Sequence, residues 1–161
     1  MWFLFARVKN ITSKNKRLVH IKFLQDIHWY AALLLALIFW FLYGLVINPL
    51  HINNVFEPLN IILFSIILYP IVEEIVFRGL IQEYFNKQDV FKRKVFFATL
   101  SNIATSGLFA LSHLLNQELL WALLTFFPSL IFGYFKDRHH SLLPSISLHI
   151  IYNFGFFTLI A

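Results

Sequence analysis

The stretch YPIVEEIVFRG, residues 69–79, places two adjacent glutamates and an arginine in a segment that is otherwise typical of a membrane-spanning helix. On a helix, Glu74 and Arg78 lie one turn apart and can pair, whereas Glu73 points about 100° away from them. Ionisable side chains are expensive in hydrocarbon, so they usually mark a site that uses them. Glu74 and Arg78 alone could be a structural ion pair, but Glu73 then remains as a candidate general base.

The composition of the whole chain predicts a membrane protein. Its residues are 59% hydrophobic, 19% aromatic and only 13% charged, whereas about a quarter of the residues of a soluble domain are charged. A span needs about 20 apolar residues, so 161 residues accommodate roughly five spans with their connections. The predicted fold class is therefore all-α, a polytopic membrane helix bundle that forms a single unit.

Long apolar runs without alternation place the five transmembrane helices at about 29–47, 59–85, 95–115, 119–135 and 142–161. The bundle is thus expected over residues 29–161. Residues 1–28 are rich in Lys and Arg, which predicts a basic interfacial segment held to anionic membrane lipid. The second run is longer than the bilayer is thick, so we expect it to tilt, to kink near Pro70 or to emerge at the surface.

The basic residues are concentrated in three segments, which are 1–28, 86–94 and 136–141, and are absent from 48–58 and 116–118. With five spans, the basic segments all fall on one side, which the positive-inside rule makes cytoplasmic. The N-terminus is then predicted inside and the C-terminus outside. Topology accounts for the net charge of +5, so no nucleic-acid partner is expected. The small size and the lack of targeting features favour an integral protein of a prokaryotic inner membrane.

Two further motifs bring polar side chains into later spans. FALSH contains Phe109 and His113, and HIIYN places His149 and Asn153 one turn apart on one helix face. A lone histidine near the end of a span is more often a hydrogen-bonded interfacial residue, and Asn153 could simply bond another helix. Three spans that each contribute a polar group nevertheless favour one common site. Together they supply the groups that activate water against a carbonyl.

Several other intramembrane protease chemistries lack their residues. The chain contains no cysteine, no HExxH motif and no GxSxG elbow. The aspartates Asp26, Asp89 and Asp137 all fall outside the predicted spans, which argues against an aspartyl pair. The remaining protease chemistry is hydrolysis in which a glutamate activates the water.

The three motifs, in this order, resemble the signatures of the CPBP family, the CAAX protease and bacteriocin-processing or Abi proteins. The resemblance covers about residues 59–155 and implies an intramembrane endopeptidase. It implies a catalytic set with two supporting residues: Glu73, Glu74, His113, His149 and Asn153, supported by Arg78 and Phe109. In this set, Glu73 and His113 would activate the water, while His149 and Asn153 would form the oxyanion site.

A metal ion, if one is bound, would draw on the two glutamates and the two imidazoles, namely Glu73, Glu74, His113 and His149, which are feasible zinc ligands. Apart from Glu83 near the end of the second span, however, the predicted spans contain no further carboxylate to orient those imidazoles, a common companion of metal-bound histidine. We therefore predict a glutamate protease that has no cofactor, with zinc as the alternative.

The predicted function is hydrolysis of a peptide bond in a membrane-associated peptide or protein. One alternative is a non-catalytic peptide-binding or bacteriocin-immunity protein that uses the same polar cluster. A small transporter is the other, although no inverted repeat or pair of broken helices is evident. The identity of the substrate and the oligomeric state are open at this point.

Overall fold

A computed structural model describes residues 22–46 and 63–159 of the chain. Predictions for residues 1–21, 47–62 and 160–161 lie outside the described residues. They include most of the basic interfacial segment and the whole 48–58 connection.

The described residues are mainly helical, as predicted. The α-helices are α1 (Ile27–Val46), α2 (Tyr69–Glu74), α3 (Glu83–Asn86), α4 (Leu100–His113), α5 (Leu119–Leu124), α6 (Phe126–His139) and α7 (Leu143–Leu159). Short 3-10 turns occupy Lys22–Gln25 and Asp89–Lys92. An antiparallel hairpin pairs β1 (Lys94–Val95) with β2 (Ala98–Thr99).

The segment that carries the two glutamates is one composite helix, residues 63–86. Two π-helical stretches, Leu63–Leu68 and Ile75–Gln82, alternate with α2 and α3 without a break. Pro70 lies in the first turn of α2, where a missing N–H is tolerated. Wider turns of this kind recur at functional sites, and they rotate the side chains that follow relative to a regular α-helix.

The third predicted span is too long at its start. Residues 94–99 form the hairpin, and α4 begins only at Leu100, where the Thr99 hydroxyl accepts a hydrogen bond from Asn102 N at 3.1 Å as an N-cap. With 14 residues, α4 is about 21 Å long, shorter than a hydrocarbon core of about 30 Å. The fourth run also differs, since it continues beyond residue 135 as α5 and α6.

Among the described residues, two helical stretches are long and apolar enough to cross a membrane, Ile27–Leu45 and Leu119–His139. The count of five spans stays a prediction. Large apolar side chains cover much of the outer surface, as on α1, where Leu37 is 63% and Phe41 is 66% exposed. An apolar surface of this extent is typical of contact with lipid or with a partner.

Helix α6 lies at the centre of the packing, between α4 and α7, and α1 packs along α7. Phe132 and Phe135 of α6 and Leu148 of α7 are almost completely buried and form a core with Trp29 of α1. The Tyr152 hydroxyl donates to the carbonyl of Ala32 at 3.0 Å, which ties α7 to α1. The site described below is built around this core.

Gly133 allows α6 to approach α4 and the composite helix closely. Its carbonyl accepts a hydrogen bond from Gln82 Nε2 at 3.0 Å, while Asn102 Nδ2 donates to Leu130 O at 2.9 Å. A Cβ on Gly133 would overlap the Asn102 amide and lie 2.9 Å from Gln82 Oε1. Small residues serve this purpose where membrane helices pack closely.

Gly133→Ala is therefore expected to destabilise the protein by about 1–3 kcal/mol, because the buried Asn102 amide must move out of its hydrogen bonds. The measurement is thermal unfolding in detergent. Gly107→Ala on α4 is the matched control, since a Cβ there meets nothing within 4 Å. It should leave stability unchanged or raise it by up to about 1 kcal/mol. Equal melting temperatures for the two variants would contradict the close packing at Gly133.

Asp26 ties the start of α1 to the end of α6. Its carboxylate accepts hydrogen bonds from Arg138 Nε and from His139 Nε2 at 2.9 Å, and also from the backbone N–H of His28 at 3.0 Å. The Asp26 side chain is only 7% exposed. Burial acts to raise the pKa of Asp26, but these donors together outweigh burial and hold that pKa well below its usual range.

Asp26→Asn should lower the stability by about 1–3 kcal/mol, because two charge-assisted hydrogen bonds lose their acceptor charge. Since the folded state depresses the pKa of Asp26, its contribution is present above the ordinary aspartate pKa and is lost as pH falls through the folded value. The melting temperature of the variant should therefore approach that of the wild type in acid. Asp89→Asn is the control, because Asp89 is 95% exposed beside Lys92, and it should have little effect.

Candidate active site

His149 lies between the two adjacent glutamates. Its Nδ1 donates to Glu74 Oε1 at 2.9 Å, and its Nε2 is 3.5 Å from Glu73 Oε2. Glu74 is completely buried, whereas the Glu73 side chain is 32% exposed. The two carboxylates thus share an imidazole but differ in their access to solvent and substrate.

Arg78 closes the buried side of this cluster. Its Nε is 3.3 Å from Glu74 Oε2, which confirms the predicted pair one helical turn apart. Nη2 donates to the backbone carbonyl of Ser129 at 2.9 Å and to its hydroxyl at 2.7 Å. The guanidinium lies 5.0 Å from the ring centroid of Phe109 and 5.9 Å from that of Phe132. Arg78 is completely buried, and these contacts replace part of its lost hydration, since Nε and Nη1 make no hydrogen bond with the described residues.

His113 is oriented by its own helix. Its Nδ1 lies 2.9 Å from the carbonyl oxygen of Phe109, which can only accept, so Nδ1 carries the proton of the neutral ring. Nε2 is then left as an acceptor. The Phe109 ring lies 4.4 Å from the His113 ring and 5.7 Å from the His149 ring, so it separates and positions the two imidazoles.

Asn153 lies one turn after His149 on α7. Its Nδ2 donates to the carbonyl of Ser65 at 3.1 Å. Ser65 is in a π-helical stretch, and the residue five positions later is Pro70, which has no N–H to donate. This hydrogen bond fixes α7 against the composite helix.

These residues line a cavity of about 670 Å³, a volume typical of ligand sites. Its polar lining includes Glu73, His113, His149 and Asn153, and much of the remaining lining is aromatic or aliphatic. Helix α1 contributes Phe39 and Trp40 to the apolar side, and α5 contributes Trp121. Four of the five predicted catalytic residues thus meet in one cavity, while Glu74 lies behind them.

The four potential metal ligands do not form a metal site in this arrangement. Both ring nitrogens of His149 face carboxylates, and the two oxygens of Glu74 face His149 and Arg78. Across residues 22–46 and 63–159, no three His, Cys, Asp or Glu side chains are arranged to hold an ion. The mechanism proposed below therefore has no step through a metal.

Sequence analysis missed several residues that hold the site together. Ser129 binds Arg78, and Phe132 stacks on His149 at 4.8 Å with an interplanar angle of 22°. No local motif marks either residue, because each acts on a distant part of the chain.

A second polar cluster lies further along α6, around Asp137. Asp137, for which the sequence suggested no role, accepts hydrogen bonds from Gln82 and Asn86 at 2.9 Å and from Thr99 at 2.7 Å. It thereby joins the composite helix, the hairpin and α6. One signal was available, since polar side chains recur every four residues from Glu74 through Arg78 and Gln82 to Asn86.

One comparison with known proteins found a family. The model of the Rce1-like family, described as type II CAAX prenyl endopeptidase Rce1-like, matches residues 54–155. The match spans more than half of the chain and includes all three motifs. Searches among curated proteins and among solved structures gave no match.

Arg78→Ala is expected to destabilise the protein by about 3–5 kcal/mol, because it leaves the carboxylate of Glu74 buried with His149 as its remaining partner. Steady-state level in membranes and melting temperature in detergent measure the effect. Arg93→Ala removes the same charge from an exposed position and serves as the control. Normal accumulation and melting of the Arg78 variant would contradict a structural role for the buried pair.

Proposed function

The chain belongs to the Rce1-like family of type II CAAX prenyl endopeptidases, which are membrane proteases, and we propose that it hydrolyses a peptide bond with water activated by Glu73. The observation that carries the proposal is the division between the two glutamates. Glu74 is completely buried against Arg78 and His149, whereas Glu73 is partly exposed and lines the cavity. Of the two glutamates, we therefore assign the activation of water to Glu73.

The water is held between Glu73 and His113. Both groups line the cavity and can accept a hydrogen bond, Glu73 through its carboxylate and the neutral His113 ring, with its proton on Nδ1, through Nε2. A water that donates one hydrogen to each group directs a lone pair into the cavity, toward the carbonyl carbon of the substrate. As the C–O bond forms, the carboxylate of Glu73 takes the proton of the water.

His149 and Asn153 stabilise the oxyanion. His149 Nε2 lies at the cavity wall, 3.5 Å from Glu73 Oε2, and it is a donor to the oxyanion when it carries a proton. Asn153 has a second N–H besides the one that binds Ser65. Donors of this type contribute about 3 kcal/mol each to stabilising a tetrahedral intermediate.

Collapse of the intermediate completes the reaction. The C–N bond breaks, and the proton held by Glu73 passes to the leaving amine, so one water is consumed for each peptide bond. The aromatic and aliphatic walls of the cavity fit an apolar substrate segment presented from the membrane. We therefore infer that the substrate is a membrane-associated peptide or protein. From the distribution of basic residues and the small size of the chain, we also infer that the enzyme works in a prokaryotic inner membrane with its N-terminus cytoplasmic.

Glu73→Gln should lower peptide-bond cleavage by about 100-fold or more, because the amide cannot accept the proton of the water. His113→Ala should do the same. Protein termini are compared by quantitative proteomics on host membranes that hold equal amounts of each variant. New termini should appear with the wild type and with Glu118→Gln, a control for the loss of one exposed carboxylate.

Two outcomes would point elsewhere. Termini that are identical in all strains, together with a retained cellular phenotype in the Glu73 variant, would favour the non-catalytic peptide-binding or immunity function. Cleavage by the purified protein that stops with EDTA and returns with zinc would favour the metal-dependent alternative.

A further inference from the structure

A second cavity, of about 480 Å³, lies away from the active site, between the hairpin, α3 and the end of α6. Four Lys or Arg side chains line it against two carboxylates, which makes the lining net positive with His140 counted as neutral; the cations are Lys92, Lys94, Lys136 and Arg138. This cavity lies on the side that the charge distribution predicts to be cytoplasmic.

Both carboxylates in the lining are already engaged. Asp137 accepts hydrogen bonds on both oxygens from Gln82, Asn86 and Thr99. Glu83 accepts one from Lys136 at 2.8 Å. Asp137 is therefore satisfied by uncharged donors, and the charge of Glu83 is paired with that of Lys136.

Two of the cations are available to a ligand. The Lys94 side chain makes no ion pair or hydrogen bond with another residue in the described ranges. Within those ranges the Lys92 side chain pairs with Asp89, which is 95% exposed. Exposed pairs of this kind contribute little and exchange readily for another anion.

The hairpin beside the cavity displays two aromatic rings. Phe96 is 96% and Phe97 is 62% exposed, and they form the two-residue turn between β1 and β2. Such turns require positive φ and therefore favour Gly, Asn or Asp. Here a phenylalanine, Phe96, adopts the positive φ, at 54°. Aromatic side chains next to lysines are typical of the membrane interface, where the rings enter the apolar layer and the ammonium groups meet phosphates.

We propose that this cavity binds the headgroup phosphate of an anionic phospholipid. Lys92 and Lys94 pair with the phosphate, and Phe96 and Phe97 insert beside the acyl chains. A lipid is favoured over a soluble phosphate because the exposed rings need an apolar neighbour. The inference is independent of the protease activity and places the hairpin at the cytoplasmic surface of the bilayer.

The test is native mass spectrometry of the purified full chain with equimolar phosphatidylglycerol and phosphatidylcholine. The wild type should retain phosphatidylglycerol preferentially. Lys92→Gln with Lys94→Gln should weaken its binding by about tenfold or more. The matched control, Lys87→Gln with Arg93→Gln, removes two positive charges from the same region but outside the cavity and should change binding less than about twofold.

Each other outcome would overturn the proposal. Equal weakening by both double variants would mean general surface attraction rather than a site. Displacement of the lipid by inorganic phosphate at a similar concentration would mean a site for soluble phosphate. Unchanged lipid retention in Phe96→Ser would remove the hairpin from the interaction.

Discussion

Burial of the Arg78 guanidinium is the constraint on which the rest of the site depends. A buried charge is costly unless an opposite charge and hydrogen bonds compensate for its lost hydration. Here the partners come from three directions: Glu74 from the same helix, Ser129 from α6 and the ring of Phe109 from α4. His149 of α7 then binds the other oxygen of Glu74. Four helical segments must converge for the arginine to be accommodated, and this convergence creates the cavity wall.

The same constraint explains how two adjacent glutamates acquire different roles. Glu74 is committed on both oxygens, to Arg78 and His149, and has no access to the cavity. Glu73 has a longer 3.5 Å contact to His149 and remains partly exposed. The two carboxylates thus differ in environment, and the proposed division between a supporting and a water-activating glutamate follows that difference, a pattern that recurs in hydrolases.

A wall of the active-site cavity lies outside the region that matches the family. Phe39 and Trp40 belong to α1, which precedes residue 54, where the family match begins. Close packing brings α1 to this position, since a Cβ on Gly155 would overlap the Trp40 indole. The residues of the proposed chemistry therefore lie in the matched region, while α1 supplies part of the apolar lining of the cavity.

The amino-acid sequence by itself determined the helical class, the membrane environment, the Glu74–Arg78 pair and the family. These follow from composition and from spacings within one helix, where residues four apart are neighbours whatever the rest of the chain does. The position of His149 between two glutamates, the contacts of Ser129 and Phe132, and the cluster at Asp137 were decided only by the tertiary structure. Each joins residues on different helices, so it depends on how the helices cross and at what depth. The sequence did not predict the hairpin that shortens the third span for the same reason. Residues 95–97 are apolar and are therefore compatible with a helix, and only the tertiary structure shows that they are exposed in a hairpin.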